Sequence, residues 1–162
     1  MNAYQALKKA MDEYTRICGL QTYFVQDIAE VNDAKEKNYF CKVFKTSSKA
    51  CDLCEVSEKE NYTKALTNNK VQSFACHAGL VKWSVPVDMK GLKGAIVSEG
   101  VITQAQVDQK DEWMDHLSED YNVSRAILSD HYDKIRITTE EEAKLSIEIL
   151  QNLLDWYAHQ VD

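Results

Sequence analysis

The sequence predicts an α+β domain: an antiparallel sheet of about four to six strands flanked by helices, with long helices at both ends. Three observations carry this. Residues 81–89 alternate strictly, with Val81, Trp83, Val85 and Val87 on one parity and Lys82, Ser84 and Pro86 on the other, the pattern of a half-buried strand. Both ends of the chain instead repeat apolar residues at helical spacing. The 162 residues suit one domain, 1–162, long enough to bury a core without disulfide staples.

Along the chain, Ala3, Leu7, Ala10, Tyr14 and Ile17 form one stripe of a helix over 3–18, with Gly19 as its C-cap. "QTYFVQDI" (21–28) reads as a strand and "AEVNDAKEKN" (29–38) as a polar loop. "YFCKVF" (39–44) suits a strand or a helical turn. Ser47 or Ser48 caps a helix running to about Leu66, with Asn68-Asn69 as its stop. "VQSFAC" (71–76) is a strand, and 81–89 turns at "KG" into "LKGAIVSEG" as an antiparallel hairpin. Pro86 lacks a backbone donor, which predicts an unpaired or bulged stretch there. From residue 102 the pattern is helical. Thr103-x-x-Gln106 and Thr139-x-x-Glu142 are capping boxes, opening helices over 104–119 and from 139 to about 160, with a further helix over 123–131 between them. The last helix carries Ala143, Ile147, Leu150, Leu154, Tyr157 and Val161 at heptad spacing, and a second stripe of Ile149, Leu153 and Trp156.

The net charge of −7 argues against direct nucleic-acid contact by this chain. No run of about 18 apolar residues predicts a membrane span, and "MNAYQALKKAMDEY" lacks the apolar core of a secretory signal. Five cysteines in such a chain point to a reducing, cytoplasmic setting, where they bind metal, catalyse or pack more often than they pair.

Cys41, Cys51, Cys54 and Cys76 fall at C-x9-C-x2-C-x21-C. A Cys-x-x-Cys unit can turn both sulfurs toward one ion, and four thiolates complete a tetrahedral zinc shell or ligate a [4Fe-4S] cluster. Two further readings stand beside this one: Cys41 and Cys76 as small buried hydrophobes, and a thioredoxin-like redox pair, which the absence of a βαβ pattern disfavours. Cys18, at the end of the first helix, reads as packed. Cys76 and His77 are adjacent on an extended segment, so they point apart and do not make a nucleophile with its base. His116, His131 and His159 are scattered on helices.

"YFCKVFKTSSKACDLCEVSEKE" followed by "ACHAGLVKWSVPVDMKGLKGAIVSEGV" resembles the PocR sensory domain, a PAS-like ligand-binding module of bacterial and archaeal regulators. Phe40-Cys41, Cys51-x-x-Cys54, Cys76-His77-x-Gly79-Leu80 and Pro86 carry the likeness, most clearly over 20–101. Ser98-Glu99-Gly100-Val101 departs from it, being less rich in glycine than the family's segment there. The resemblance implies a non-enzymatic sensor of a small metabolite, a diol or another hydrocarbon derivative. Such domains serve transcriptional or two-component signalling, beside an AraC-type DNA-binding domain or a histidine kinase. It also implies a division into an N-terminal helix (1–19), a PAS-like core with the cysteine site (20–101) and a helical C-terminal part (102–162).

The expected pocket is lined by Val81, Trp83 and Val85, with His77, Tyr23, Tyr39 and Phe74 contributing; mostly apolar walls with a few polar groups suit a small ligand. The alternative is that these residues close a solid core. The expected cofactor is zinc, with an iron-sulfur cluster or a thiol redox sensor as the alternative, and a small zinc- or cysteine-dependent enzyme behind both. The terminal helices are expected to join two chains in a homodimer, or the last helix to pack on the first.

Overall fold

The computed structural model describes residues 1–31 and 38–162. Its centre is a four-stranded antiparallel sheet built from β1 (Thr22–Val25), β2 (Gln72–Ala75), β3 (Val81–Met89) and β4 (Leu92–Ser98), in the order β1-β4-β3-β2. Helices α1 (Ala3–Cys18) and α7 (Glu140–Ala158) bracket the chain; α2 (Tyr39–Phe44), α3 (Ser48–Asn68), α4 (Gln104–Asp108), α5 (Lys110–Tyr121) and α6 (Arg125–Tyr132) lie between. The α+β architecture with long terminal helices is therefore the one the sequence predicts. The loop expected over 29–38 is in part a 3-10 turn at Ile28–Glu30, and its remainder falls largely outside the described residues.

Helix ends follow the local chemistry. Asn2 with Gln5, Thr103 with Gln106 and Thr139 with Glu142 each form a complete capping box. Gly19 closes α1 at φ 70°, its N–H donating to Thr15 O at 2.8 Å. Asn69 and Asn122 close α3 and α5 in the same left-handed conformation. One open helix expectation is decided and another changes. "YFCKVF" is a helix, because the Asn38 side chain caps it by accepting from Phe40 N at 2.9 Å. The helix expected over 104–119 breaks at Gln109, where one capped turn ends and α5 starts.

Residues paired across the sheet share a face, which sorts the core. Trp83, Val85, Val87 and Ile96 face α1 and α7 and pack with Leu7, Ala10, Tyr14, Leu150 and Leu154. Cys18 is packed here, as expected, whereas Ile17 is 54 % exposed: the buried stripe of α1 is Ala6, Leu7, Ala10, Tyr14 and Cys18. The opposite face carries Tyr23, Val25, Lys82, Ser84, Ala95 and Val97 and is covered by α3. β3 is thus buried on both sides; Lys82 and Ser84, expected at the solvent, are 2 % and 1 % exposed. The β3–β4 register runs through Pro86 without a bulge (Val85↔Ile96, Pro86↔Ala95, Val87↔Gly94). β2 begins at Gln72 opposite Ser84, so Pro86 lies beyond that ladder.

A third apolar cluster forms beyond the sheet. Phe40, Phe44, Ala50, Cys54, Leu80, Met114, Leu117, Leu128 and Tyr132 bring α2, the start of α3, α5 and α6 onto the β2–β3 turn.

Candidate functional site

α3 buries Ala50, Cys54, Glu58, Tyr62 and Ala65, one residue per turn along a single stripe. Cys54 and Glu58 therefore project side by side toward the sheet. The facing residues come from β3, which supplies Lys82, and from the tight β2–β3 turn, which supplies Cys76 and His77. That turn is closed by Gly79 N–H donating to Cys76 O at 2.8 Å and Cys76 N–H donating to Leu80 O at 2.9 Å. It sets His77 at a corner, with Nε2 3.5 Å from Cys54 Sγ. His77 thus meets a cysteine, Cys54, from another element and not its chain neighbour.

Phe44 and Tyr121 close the outer side, their rings 5.6 and 5.7 Å from the imidazole and 4.8 Å from each other. Further in, Lys82 Nζ donates to Glu58 Oε1 at 3.0 Å, and Lys45 Nζ lies 3.7 Å from the same oxygen. The Lys82 and Glu58 side chains are 3 % and 5 % exposed. Glu58 Oε2 and Ser84 Oγ are buried with no hydrogen-bond partner among the described residues. A buried carboxylate oxygen and hydroxyl without partners are uncommon, because each forgoes the hydrogen bond that would offset its desolvation.

Burial pushes the Cys54 thiol up to about 12; Lys45 and Lys82 oppose this, and Cys76 and Glu58 add to it. Burial also raises the Cys76 thiol, against Lys82 and the Leu80 and Ala78 N–H groups. Desolvation lowers the His77 imidazole, with Glu58 pulling the other way. At neutral pH the pair is a thiol beside a neutral imidazole.

Of the four cysteines expected as ligands, three belong to or border one apolar cluster. Cys41 and Cys54 are buried in the same cluster, Cys76 packs against it, and Cys51 sits three residues before Cys54 on α3, half-buried. Among the described residues no group of three or more Cys, His, Asp or Glu side chains is placed to hold a metal ion.

The seven residues expected to line a pocket are not gathered in one place. Trp83 and Val85 are 0 % and 1 % exposed in the core under α1 and α7. The Trp83 Nε1–H makes no hydrogen bond of normal geometry there, although the Tyr14 hydroxyl is close. Val81 is on the same face, half-buried. Tyr23 and Phe74 are on the opposite face, Tyr23 below the Lys82 ammonium at 5.8 Å. Tyr39 is 66 % exposed and stacks on His131. Only His77 of the seven belongs to the thiol–imidazole cluster.

A family comparison, described as the sensory domain found in PocR, matches residues 3–161. The chain belongs to this family of PocR sensory domains. Comparison with curated proteins and with solved structures gives no match. Of the residues that carry the PocR resemblance in the sequence, Phe40, Cys41, Cys54, Cys76, His77 and Leu80 come from α2, α3 and the β2–β3 turn and meet around one cluster, whereas Pro86 lies away from it in the middle of β3. Sequence reasoning missed Glu58, Lys82 and Tyr121. For Glu58 the signal was present: it stands four residues after Cys54 and four before Tyr62, on the stripe that α3 must bury. Surface clefts among the described residues include one of about 660 Å³ between α1 and β1 and one of about 400 Å³ at Gly79 and Trp113.

Among the described residues no helix is long and apolar enough to cross a membrane.

Proposed function

We propose that this PocR sensory domain receives a small polar organic ligand at the seam between α3 and β3, beside Cys54 and His77. The observation that carries this reading is the unpartnered Glu58 Oε2, buried next to the thiol–imidazole pair and the Lys82 ammonium. A short diol or related hydroxylated compound matches that inventory: its hydroxyl donates to Glu58 Oε2 or Ser84 Oγ and accepts from His77 or Lys82. Its carbon chain lies against Phe44 and Tyr121. Binding exchanges unsatisfied buried groups for satisfied ones, which is where a weakly apolar ligand finds affinity. The test is NMR titration of the protein with a panel of short-chain diols and aldehydes. Saturable binding that is lost in Glu58→Gln and His77→Ala, both still folded, supports the reading. Binding that survives both variants overturns it.

A second reading keeps the cysteines as ligands of zinc or a [4Fe-4S] cluster. It is favoured by Cys41, Cys54 and Cys76 lying in or against one apolar cluster, and it requires the four sulfurs to reach one ion. Metal analysis of protein purified without oxygen tests it. One zinc per chain or a brown chromophore supports it; colourless, metal-free protein removes it.

The output surface we assign is on α7. Leu145 and Trp156 are 55 % and 66 % exposed, on the side of the helix turned away from its own core. With Ile149 and Leu153 they make a stripe suited to a second copy of this chain.

A further inference from the structure

We propose that Gln106 and Trp113 are positioning residues for the Cys54–His77 pair, and that α4 and α5 thereby read the state of the site. The two residues belong to consecutive helices and act on one turn. Trp113 Nε1–H donates to Ala78 O at 2.8 Å. Gln106 Nε2–H donates to Gly79 O. These carbonyls directly follow His77 in the turn, so the backbone that sets the imidazole against Cys54 is held from outside the sheet.

The clamp is built closely. Gly79 has φ +83°, and a Cβ placed there would stand 3.2 Å from a Trp113 ring carbon. A residue without a side chain lets the indole lie on the turn and also accepts the left-handed backbone. Gln106 also closes the capping box of α4, its Oε1 accepting from Thr103 N at 2.8 Å. One side chain thus ties the start of α4 to the turn. At the far end of α5, about 12 Å along its axis from Trp113, Tyr121 packs against the His77 ring. A movement of His77 therefore meets α5 twice, through the carbonyls held near its first turn and through the ring at its last.

The meaning of the clamp for signalling rests on the proposed ligand site; its positioning role does not. Two variants separate the clamp from general stability. Gln106→Glu keeps the acceptor that caps α4 and places an acceptor opposite Gly79 O. Trp113→Phe keeps an aromatic ring and removes the N–H. The readout is the alkylation rate of Cys54 by iodoacetamide in the folded full chain, resolved by peptide mass spectrometry. Cys18, buried under α7 in a different cluster, is the internal reference. Each variant is expected to speed Cys54 alkylation about fivefold, the effect of one lost hydrogen bond on a local opening, with Cys18 unchanged. An unchanged Cys54 rate in both variants overturns the proposal. So does a parallel rise at Cys18, which would mark general loosening. Faster Cys54 alkylation in a protein that binds none of the diols or aldehydes leaves the clamp standing and removes the ligand reading.

Discussion

At the scale of single residues, the Cys54 thiol gives a pH signature. Its ordinary value is about 9, and burial pushes it up to about 12 in the folded chain. Between those values the unfolded chain has released a proton that the folded chain keeps. The folded state then binds more protons, so stability falls as pH rises through this window. Denaturant midpoints at pH 7.5 and 10 should show the loss, and Cys54→Ala should show less of it. A zinc-bound thiolate would instead make stability rise with pH below about 9, where folding would release the proton, and leave it flat above. The buried ion pair gives a second prediction. Lys82→Met leaves the Glu58 carboxylate facing Lys45 at 3.7 Å, its Oε2 already without a partner. The expected loss is about 3 kcal/mol in denaturant unfolding, most of it recovered in the double variant Glu58→Leu/Lys82→Met, because breaking a buried pair costs more than replacing it whole. This pair was not legible beforehand. Lys82 falls on the polar parity of an alternating strand, which alone means solvent; only the covering stripe of α3 turns that parity into an interior.

At the scale of elements, most of the fold was legible, because helix ends and the hairpin depend on neighbours in sequence. The capping boxes at Thr103 and Thr139, the Gly19 cap and the Lys90-Gly91 turn between β3 and β4 all form from local chemistry. What depended on packing was harder to read. The heptad seam of α7 is an example: Leu150 and Leu154 are 0 % and 8 % exposed because that seam packs on α1 and β3 of its own chain. The two helices run antiparallel, with Asp162 N–H donating to Met1 O and Cys18 close to Ser146. Of the two partners foreseen for this seam, the structure shows the first helix. Leu150→Ala is therefore expected to lower stability by about 3 kcal/mol. A charge at Leu150 or Leu154 would unfold the chain before it could report on association. The side open to a second copy is the other one, so Leu145→Glu/Trp156→Glu should leave a folded monomer. Sedimentation at tens of micromolar checks this; a wild-type protein that is already monomeric there removes the dimer.

At the scale of the whole molecule, the sheet separates two environments. One face fixes α1 and α7 through an apolar core; the other holds a polar seam under α3, and the β2–β3 turn links that seam to α4, α5 and α6. The site was half legible. Its cysteines and His77 stand out as residue types, but their partners are set by which helix turn meets which strand, and that is fixed only when the chain closes. Residue-resolved NMR titration with the short-chain diols tests the central claim most directly. Saturable shifts at Cys54, Glu58, His77 and Tyr121, with Tyr4 and Met11 in the α1–β1 cleft unmoved, are the predicted result. Shifts confined to Tyr4, Met11 and their neighbours, or no saturable shift with any member of the panel, would contradict it.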